Sequence, residues 1–315
     1  MKVSVIIPAL NEEPTIVKLI QNLIVDPFPS KEVIVVDGGS KDNTADIARK
    51  AGAVVIKEEG VKCPANARNQ GAKASHGEIL CFLDADNEVN PLFITNAFRN
   101  FADPNVVAVT SKIEPVCRTW IQKILASTRR SSLASFSKKK LAERGSPYTF
   151  LRREVFESFG GYPLLGVRED TLLAYTLGIY LENNPTKRTV SEPGSVIFKG
   201  LSSSVREFFA VSAWYGRTMI PYLKESKLAF LKKLILLTLP IVYLISILSI
   251  PLLVISLWFL IPASPYIAKL LVIVYEALKN RNGYTLLTPI VDLIRGAGHL
   301  IGLLQYLLGK KRLSR

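Results

Sequence analysis

Four short apolar runs, Lys2–Pro8, Val33–Val36, Ala53–Ile56 and Ile79–Leu83, recur through the first part of the chain with helical patterns between them. Runs of this length bounded by turn residues read as strands buried on both faces. After the first, Asn11 offers a helix cap, Glu12, Glu13 and Pro14 fill a first turn, and Ile16, Leu19, Ile20 and Leu23 follow at helical spacing. Thr44–Ala51 and Ala65–Ala74 read as further helices. Strands alternating with helices in this way predict an α/β fold, a doubly wound and mostly parallel sheet. Such a sheet has no place for charge inside, so acids at the carboxyl ends of its strands belong to the crevice where open α/β sheets take ligands. Two carboxylates one residue apart, Asp84 and Asp86, end the fourth run. Hard oxygen ligands there suit Mg²⁺ or Mn²⁺ held against a phosphate-bearing substrate.

Asp37 repeats the theme at the end of the second run, followed by Gly38 and Gly39. It is either a ligand contact or the local cap of an ordinary β-to-α turn. Arg68 falls early on the helix after the third run, as a bidentate phosphate or base contact or as a surface arginine. The chain's 315 residues exceed one typical domain, and its composition shifts along its length. From Leu234 to Ala268 there is no charged side chain in 35 residues, enough for one oblique membrane crossing or most of a two-helix hairpin. Basic residues flank that run: ten Lys or Arg against one acid between Arg118 and Arg153, then Lys224, Lys227, Lys232 and Lys233, and Lys310 to Arg315 after it. The net charge of +14 therefore points to membrane lipids, and no nucleic-acid motif accompanies it. The three cysteines, Cys63, Cys81 and Cys117, lack metal spacing and fit a reducing, cytoplasmic side.

Five segments occur in order: VSVIIPALNEE, VIVVDGGSKDNT, ANARNQGAKASHGEILCFLDAD, FLRREVFESFGGY and REDTLLAY. Together they resemble the family 2 glycosyltransferases of GT-A fold, over about Val3 to Leu181. The resemblance implies a sugar-nucleotide donor whose nucleoside lies against Pro8, Ala9, Glu12 and Asp37. Arg68 and Ala85 join the donor-binding set. Asp84 and Asp86 correspond to the metal-binding DxD pair, Asp86 as the more direct ligand and Asp84 nearer the ribose. Spacing alone adds Glu88 to the metal shell. Glu169 and Asp170 correspond to the catalytic pair, with Asp170 the base of an inverting displacement; its alternative is a helix cap for Thr171–Leu181. Direct displacement at an anomeric carbon does need a base facing the acceptor and a cation on the leaving diphosphate.

The expected organisation is a catalytic domain over 1–205, an amphipathic interfacial segment over 206–232 and a membrane domain over 233–315 with two or three transmembrane helices. The C-terminal part resembles the cellulose-synthase-like branch, in which an interfacial helix, here Val205–Leu223, leads into the bilayer. The branch's QxxRW signature is replaced by Trp214-Tyr215-Gly216-Arg217, which speaks against polymer synthesis. Trp214 is an acceptor-stacking residue or an interfacial anchor, and Arg217 a phosphate contact. Asp292, Arg295 and His299 share one face of Tyr284–Leu308, which either floats at the interface or turns that face to protein. A full-length third crossing there would place the basic C-terminus outside, against the positive-inside bias. The substrates implied by the resemblance are GDP-mannose and a lipid-phosphate acceptor, dolichyl or another polyprenyl phosphate. A lipid-linked oligosaccharide or glycolipid acceptor is the runner-up, and a non-catalytic membrane-tethered sugar-nucleotide binder the rival of a different class. A phosphatase of the DxDx[T/V] type fails on Glu88 at the fifth position, and a nucleotidyltransferase fails for want of a glycine-rich loop after Pro8.

Overall fold

The computed structural model describes residues 1–133, 149–164, 169–218 and 287–308, with isolated positions between 245 and 275. The chain divides into two compact units, one of Met1–Val116 and Phe136–Gly200, the other of Cys117–Ser135 and Leu201–Leu313.

The first unit is an eight-stranded sheet. Its strands are β1 (Val3–Ala9), β2 (Lys31–Asp37), β3 (Val54–Lys57), β4 (Ile79–Phe82), β5 (Asn87–Val89), β6 (Val106–Val116), β7 (Phe150–Arg152) and β8 (Arg188–Gly200). Their order in space is β3-β2-β1-β4-β7-β6-β8-β5. The β3-β2-β1-β4 half is parallel, as the four apolar runs predict. The other half departs from the mostly parallel expectation. β7 runs antiparallel to both β4 and β6, β5 runs antiparallel to β8, and only β6 and β8 pair in parallel. The sheet is mixed.

Side-chain alternation sends the two faces of β1 into two cores. Val3, Val5 and Ile7 pack with Leu19 and Leu23 of α1 (Glu13–Val25) and with Phe93 of α4 (Phe93–Arg99). Ile6 faces the other core, with Leu80, Phe82, Phe156 and Leu173. Between them in the chain lie α2 (Thr44–Lys50) and α3 (Pro64–Ala74). Gly71 explains why α3 lies so close to the sheet: a Cβ there would sit 2.4 Å from Ile6 Cγ2. Asn11 does not cap α1. It adopts φ 56°, and its side-chain oxygen accepts from the Lys41 backbone N–H at 2.8 Å, tying the first strand end to the loop after β2.

The second unit contains α5 (Trp120–Leu133), α8 (Val205–Arg217) and α9 (Thr288–Leu307); the intervening α6 (Arg153–Ser158) and α7 (Glu169–Asn183) belong to the first. Ser204 caps α8 by accepting from Glu207 N. A Cβ on Gly302 would fall 1.8 Å from the Ala213 carbonyl oxygen, and one on Gly216 2.1 Å from that of His299, so α8 and α9 meet backbone to backbone. A helix covers Val205–Arg217 of the Val205–Leu223 stretch, with residues 219–223 outside the described set. On the polar face of α9 the Asp292 side chain turns to protein: it is only 7% exposed, pairs with Lys269 at 2.6 Å and lies 3.6 Å from Arg295, whose own side chain is 43% exposed. Among the described residues no helix is long and apolar enough to cross a membrane, so the third crossing expected over Tyr284–Leu308 finds no support in α9. Asp292, Arg295 and the small residues packed on α8 dilute its apolar character. The uncharged run Leu234–Ala268 lies, but for Ile245 and Ile267, outside the described residues.

Candidate active site

Because β1, β2 and β4 are parallel, their carboxyl ends lie on one edge, which carries Pro8, Ala9 and Asp37 and is where β4 leads into Asp84. Ala9 is buried opposite Asp37, and its carbonyl accepts from Gly38 N at 2.9 Å. Pro8 stands one position back, opposite Val36. Asp37 turns its carboxylate onto its own loop, accepting from Ser40 N at 3.1 Å and Gly39 N at 3.3 Å. The local-cap reading of Asp37 is therefore realised. Glu12 accepts from Thr15 Oγ1 at 2.9 Å and precedes the first turn of α1.

Arg68 is the hub. Its Nη2 donates to Asp84 Oδ1 at 2.7 Å, and its Nη1 donates to Glu169 Oε1 at 2.6 Å. Its side chain is only 11% exposed, and its guanidinium lies 5.3 Å from the centroid of the Tyr162 ring. The surface-arginine alternative is thereby excluded. Tyr162 is placed by Asn69, whose amide nitrogen donates to the Tyr162 carbonyl and whose oxygen accepts from Tyr162 N, both at 2.8 Å. The Gly160-Gly161 turn permits this with φ of 74° and 82°. Asp84's second oxygen accepts from Lys199 Nζ at 2.7 Å. A chain of alternating charge thus runs Lys199–Asp84–Arg68–Glu169.

The environment separates the two acids. Burial pushes the Asp84 carboxyl up, but Lys199 and Arg68 outweigh it and hold the group far below the usual carboxylate range. Burial raises Glu169; Arg68 opposes this and neighbouring Asp170 adds to it, with a net upward shift. Tyr162 is also raised, first by burial and then by Asp170, Glu169 and Asp84, against Arg68. Acids displaced in opposite directions around one cation are a pattern of functional sites. Asp170 occupies the first turn of α7, where its Oδ1 accepts from Thr171 N at 2.7 Å, so it also serves as a local cap.

Ala85 is buried between the two acids of the DxD pair. The carboxylate donor set fits a hard divalent cation. Among the described residues no three His, Cys, Asp or Glu side chains converge, and Mg²⁺ or Mn²⁺ holds well on one or two carboxylates completed by phosphate and water. Glu88 is not placed as a third ligand: it sits on β5, whose alternation turns it to Lys18 of α1 at 2.6 Å.

Sequence reasoning missed two groups here. Lys199 closes β8 after an unremarkable SVIF run. Glu58, just past β3, is buried; its Oε1 accepts from Cys63 N at 3.0 Å and Asn66 Nδ2 at 3.1 Å, fixing the loop that launches α3. An acid directly after an apolar run was the available signal, as for Asp37. Trp214 and Arg217 belong to the second unit. Arg217 Nη1 donates to Gln305 Oε1 at 2.6 Å while its buried Nε has no hydrogen-bond partner among the described residues, and Trp214 packs edge-on against Tyr215 with centroids 5.1 Å apart.

Residues 4–160 match the family described as glycosyl transferase family 2. The chain is 30% identical over 171 residues to glycosyltransferase AglE of Haloferax volcanii, covering 51% of this chain and 56% of that protein. It is 27% identical over 220 residues to the probable glycosyltransferase YdaM of Bacillus subtilis, covering 60% and 50%. The chain thus spans about half the length of the curated relatives it matches. Among solved structures it is similar to the mannosyltransferase PcManGT of Pyrobaculum calidifontis in complex with GDP-Man and Mn²⁺, at 21% identity, 98% and 88% coverage and a TM-score of 0.60. It is also similar to S. aureus TarS 1–349 in complex with UDP, at 19% identity, 98% and 92% coverage and a TM-score of 0.52. At these identities the likeness establishes the fold, which is GT-A-like.

Proposed function

We propose that this chain, whose residues 4–160 match glycosyl transferase family 2, transfers a hexose from a sugar nucleotide to a lipid-carried acceptor with inversion. The observation that carries the reading is the single guanidinium of Arg68 bridging Asp84 of the DxD pair to Glu169 beside Asp170. It ties the donor-side and acceptor-side acids into one site.

In this reading the nucleoside lies along Pro8, Ala9, Glu12 and Asp37, with Ala85 and Arg68 lining the donor. Asp84 and Asp86 hold Mg²⁺ or Mn²⁺, which when bound supplies positive charge against the leaving diphosphate. Asp170 accepts the acceptor's proton as the new bond to the anomeric carbon forms and the bond to the diphosphate oxygen breaks. Glu169, clamped by Arg68, keeps Asp170 and the start of α7 in place. The preferred substrates are GDP-mannose and dolichyl or another polyprenyl phosphate. The orphaned Nε of Arg217 supports a phosphate contact in the second unit, with Trp214 beside it as a surface for sugar or prenyl chain. The uncharged run Leu234–Ala268 and its flanking lysines support attachment to a cell membrane by more than one pass, with the catalytic unit cytoplasmic. A second reading has its own support. Asp170 repels a phosphate nucleophile and suits a hydroxyl, which favours the sugar of a lipid-linked oligosaccharide or glycolipid.

The test is incubation of purified protein and Mn²⁺ with GDP-mannose, UDP-glucose and UDP-N-acetylglucosamine, each with dolichyl phosphate or with a diphosphate-linked lipid sugar. We expect β-linked label in the organic phase from GDP-mannose and dolichyl phosphate, abolished by EDTA. Label only on the diphosphate-linked sugar selects the second reading. Water-soluble polymer, an α-linked product or full turnover in EDTA overturns the proposal.

A further inference from the structure

We propose that Glu58 reads the nucleobase of the donor and selects guanine, by accepting from the edge that carries N1–H and the 2-amino group. The inference rests on the donor-binding reading above and gives that site a residue that decides between bases. The sheet sets the position. The order β3-β2-β1-β4 puts the carboxyl ends of these four parallel strands in a row. Asp84 follows β4 and Glu58 follows β3, three strand spacings or about 14 Å apart, with Ala9 and Asp37 between them. A donor with its diphosphate at Asp84 and its nucleoside along Ala9 and Asp37 therefore brings the edge of its base to Glu58. The Glu58 backbone N–H donates to the Asp37 carbonyl at 2.8 Å, which ties the residue to the end of β2.

Only half of this carboxylate is used. Glu58 is 4% exposed, and its Oε1 accepts from Cys63 N at 3.0 Å and from Asn66 Nδ2 at 3.1 Å. The neighbouring Lys62 ammonium is directed to the Glu58 backbone carbonyl and not to the carboxylate. Among the described residues no donor meets Oε2. It lies instead beside Gly38, where a Cβ would stand 3.4 Å from Oε2 and 3.5 Å from the Ala9 carbonyl oxygen. Two acceptors thus border one small gap that the missing side chain leaves open. A buried carboxylate oxygen without a donor is unfavourable on its own, so the gap suits a ligand edge rich in N–H groups. Asp37 is not available for this role, because its carboxylate is turned to Gly39 N and Ser40 N.

The bases differ in what they offer to such a pair of acceptors. Guanine presents N1–H and the 2-amino group side by side. Uracil presents one N–H between two carbonyl oxygens, which would be set against Oε2 and the Ala9 carbonyl. Adenine and cytosine each present one amino group beside a bare ring nitrogen. A site built to accept hydrogen bonds rejects an edge that cannot donate them, and guanine is the base that donates twice.

The experiment is calorimetric titration of the full chain with GDP, UDP and IDP in the presence of Mn²⁺. Wild type should bind GDP about ten- to hundredfold more tightly than UDP, the worth of a hydrogen bond to a charged group. IDP, which keeps N1–H but lacks the 2-amino group, should fall between them. In Glu58→Gln the amide oxygen still serves Cys63 N and Asn66 Nδ2, which leaves the NH₂ group facing Gly38. The free position then donates instead of accepting, so this variant should lose GDP affinity and gain UDP affinity. Wild type that binds UDP as tightly as GDP overturns the proposal without recourse to any variant. So does a Glu58→Gln protein of unchanged melting temperature that keeps the wild-type preference. Failure of wild type to bind any of the three nucleotides with Mn²⁺ sinks the donor-binding reading itself, a separate result.

Discussion

The two ends of the parallel strands in the first unit each hold a carboxylate below its ordinary pKa, and only one end has the makings of a chemical site. At the amino end, Glu32 accepts from Lys2 Nζ at 2.8 Å, Ser4 Oγ at 2.6 Å and His76 N at 2.7 Å. Burial raises that carboxyl, but these hydrogen bonds prevail and bring it down to about 2 from 4.5. At the carboxyl end, Asp84 is lowered as well, yet it shares its arginine with Glu169, which is raised. Glu32 is held by the Lys2 ammonium, the Ser4 hydroxyl and the His76 backbone N–H, all of which favour its ionised form. Asp84 is held by the tips of two long side chains from α3 and β8. A depressed carboxyl therefore does not locate a site. Two acids driven apart around one cation, at the edge where parallel strands end, is the more discriminating sign.

The largest effect that would sharpen this contrast is at Asp170. Asp170→Asn should lower turnover by about 10³–10⁴-fold, the full share of a general base, with donor affinity and melting temperature nearly unchanged. A variant that keeps more than a tenth of wild-type turnover would remove the base from the carboxyl end.

Next comes Arg68→Met, which should affect both properties. Leaving Glu169 without its cation should cost about 3 kcal/mol of stability near neutral pH, by denaturant unfolding. The pH dependence has a definite sign. Glu169 already has a raised folded-state pKa, and losing Arg68 raises it further. Its neutral form is the one the fold tolerates, so the penalty is smallest below the unfolded-state pKa and grows as pH rises through the folded one. A penalty that shrinks with rising pH would contradict the hub role of Arg68.

The parallel half of the fold was legible because β1 to β4 are short apolar runs, and charge at the end of such a run is conspicuous. Asp84, Asp86 and the Glu169-Asp170 pair followed from that logic and from the ordered motifs. The other half was not legible. β6 and β8 are long and partly exposed, their pairing spans some eighty residues of chain, and β5 is three residues tucked directly behind Asp86. Lys199 was missed because its importance comes only from that pairing, which brings Lys199 opposite Asn87. Glu88 was misassigned for the same reason, since the pleat of an unforeseen strand decides that it meets Lys18. In the second unit, Gly216, Gly298 and Gly302 act by lacking a side chain, so a reading based on hydropathy registers an apolar stretch and not a tight helix contact.

The smallest expected effect is at the amino end, and it tests whether that end is purely structural. Glu32→Gln keeps the shape of the side chain and one carbonyl acceptor but removes the charge that Lys2, Ser4 and His76 surround. The group is mostly but not wholly enclosed, with 16% of its side chain exposed, so solvent screening trims the effect to about 2 kcal/mol near pH 7. The folded-state pKa lies below the unfolded one, so the ionised carboxylate contributes its stability above pH 4.5 and loses it as pH falls toward 2. Denaturant midpoints of wild type and Glu32→Gln should therefore differ at pH 7 and converge between pH 4.5 and 2, with turnover per folded molecule the same throughout. Midpoints that stay apart by the same margin at acid pH would show that the charge of Glu32 is not what holds this end together. A fall in turnover at unchanged stability would erase the distinction between the two ends, because it would couple the amino end of the sheet to the chemistry at the other.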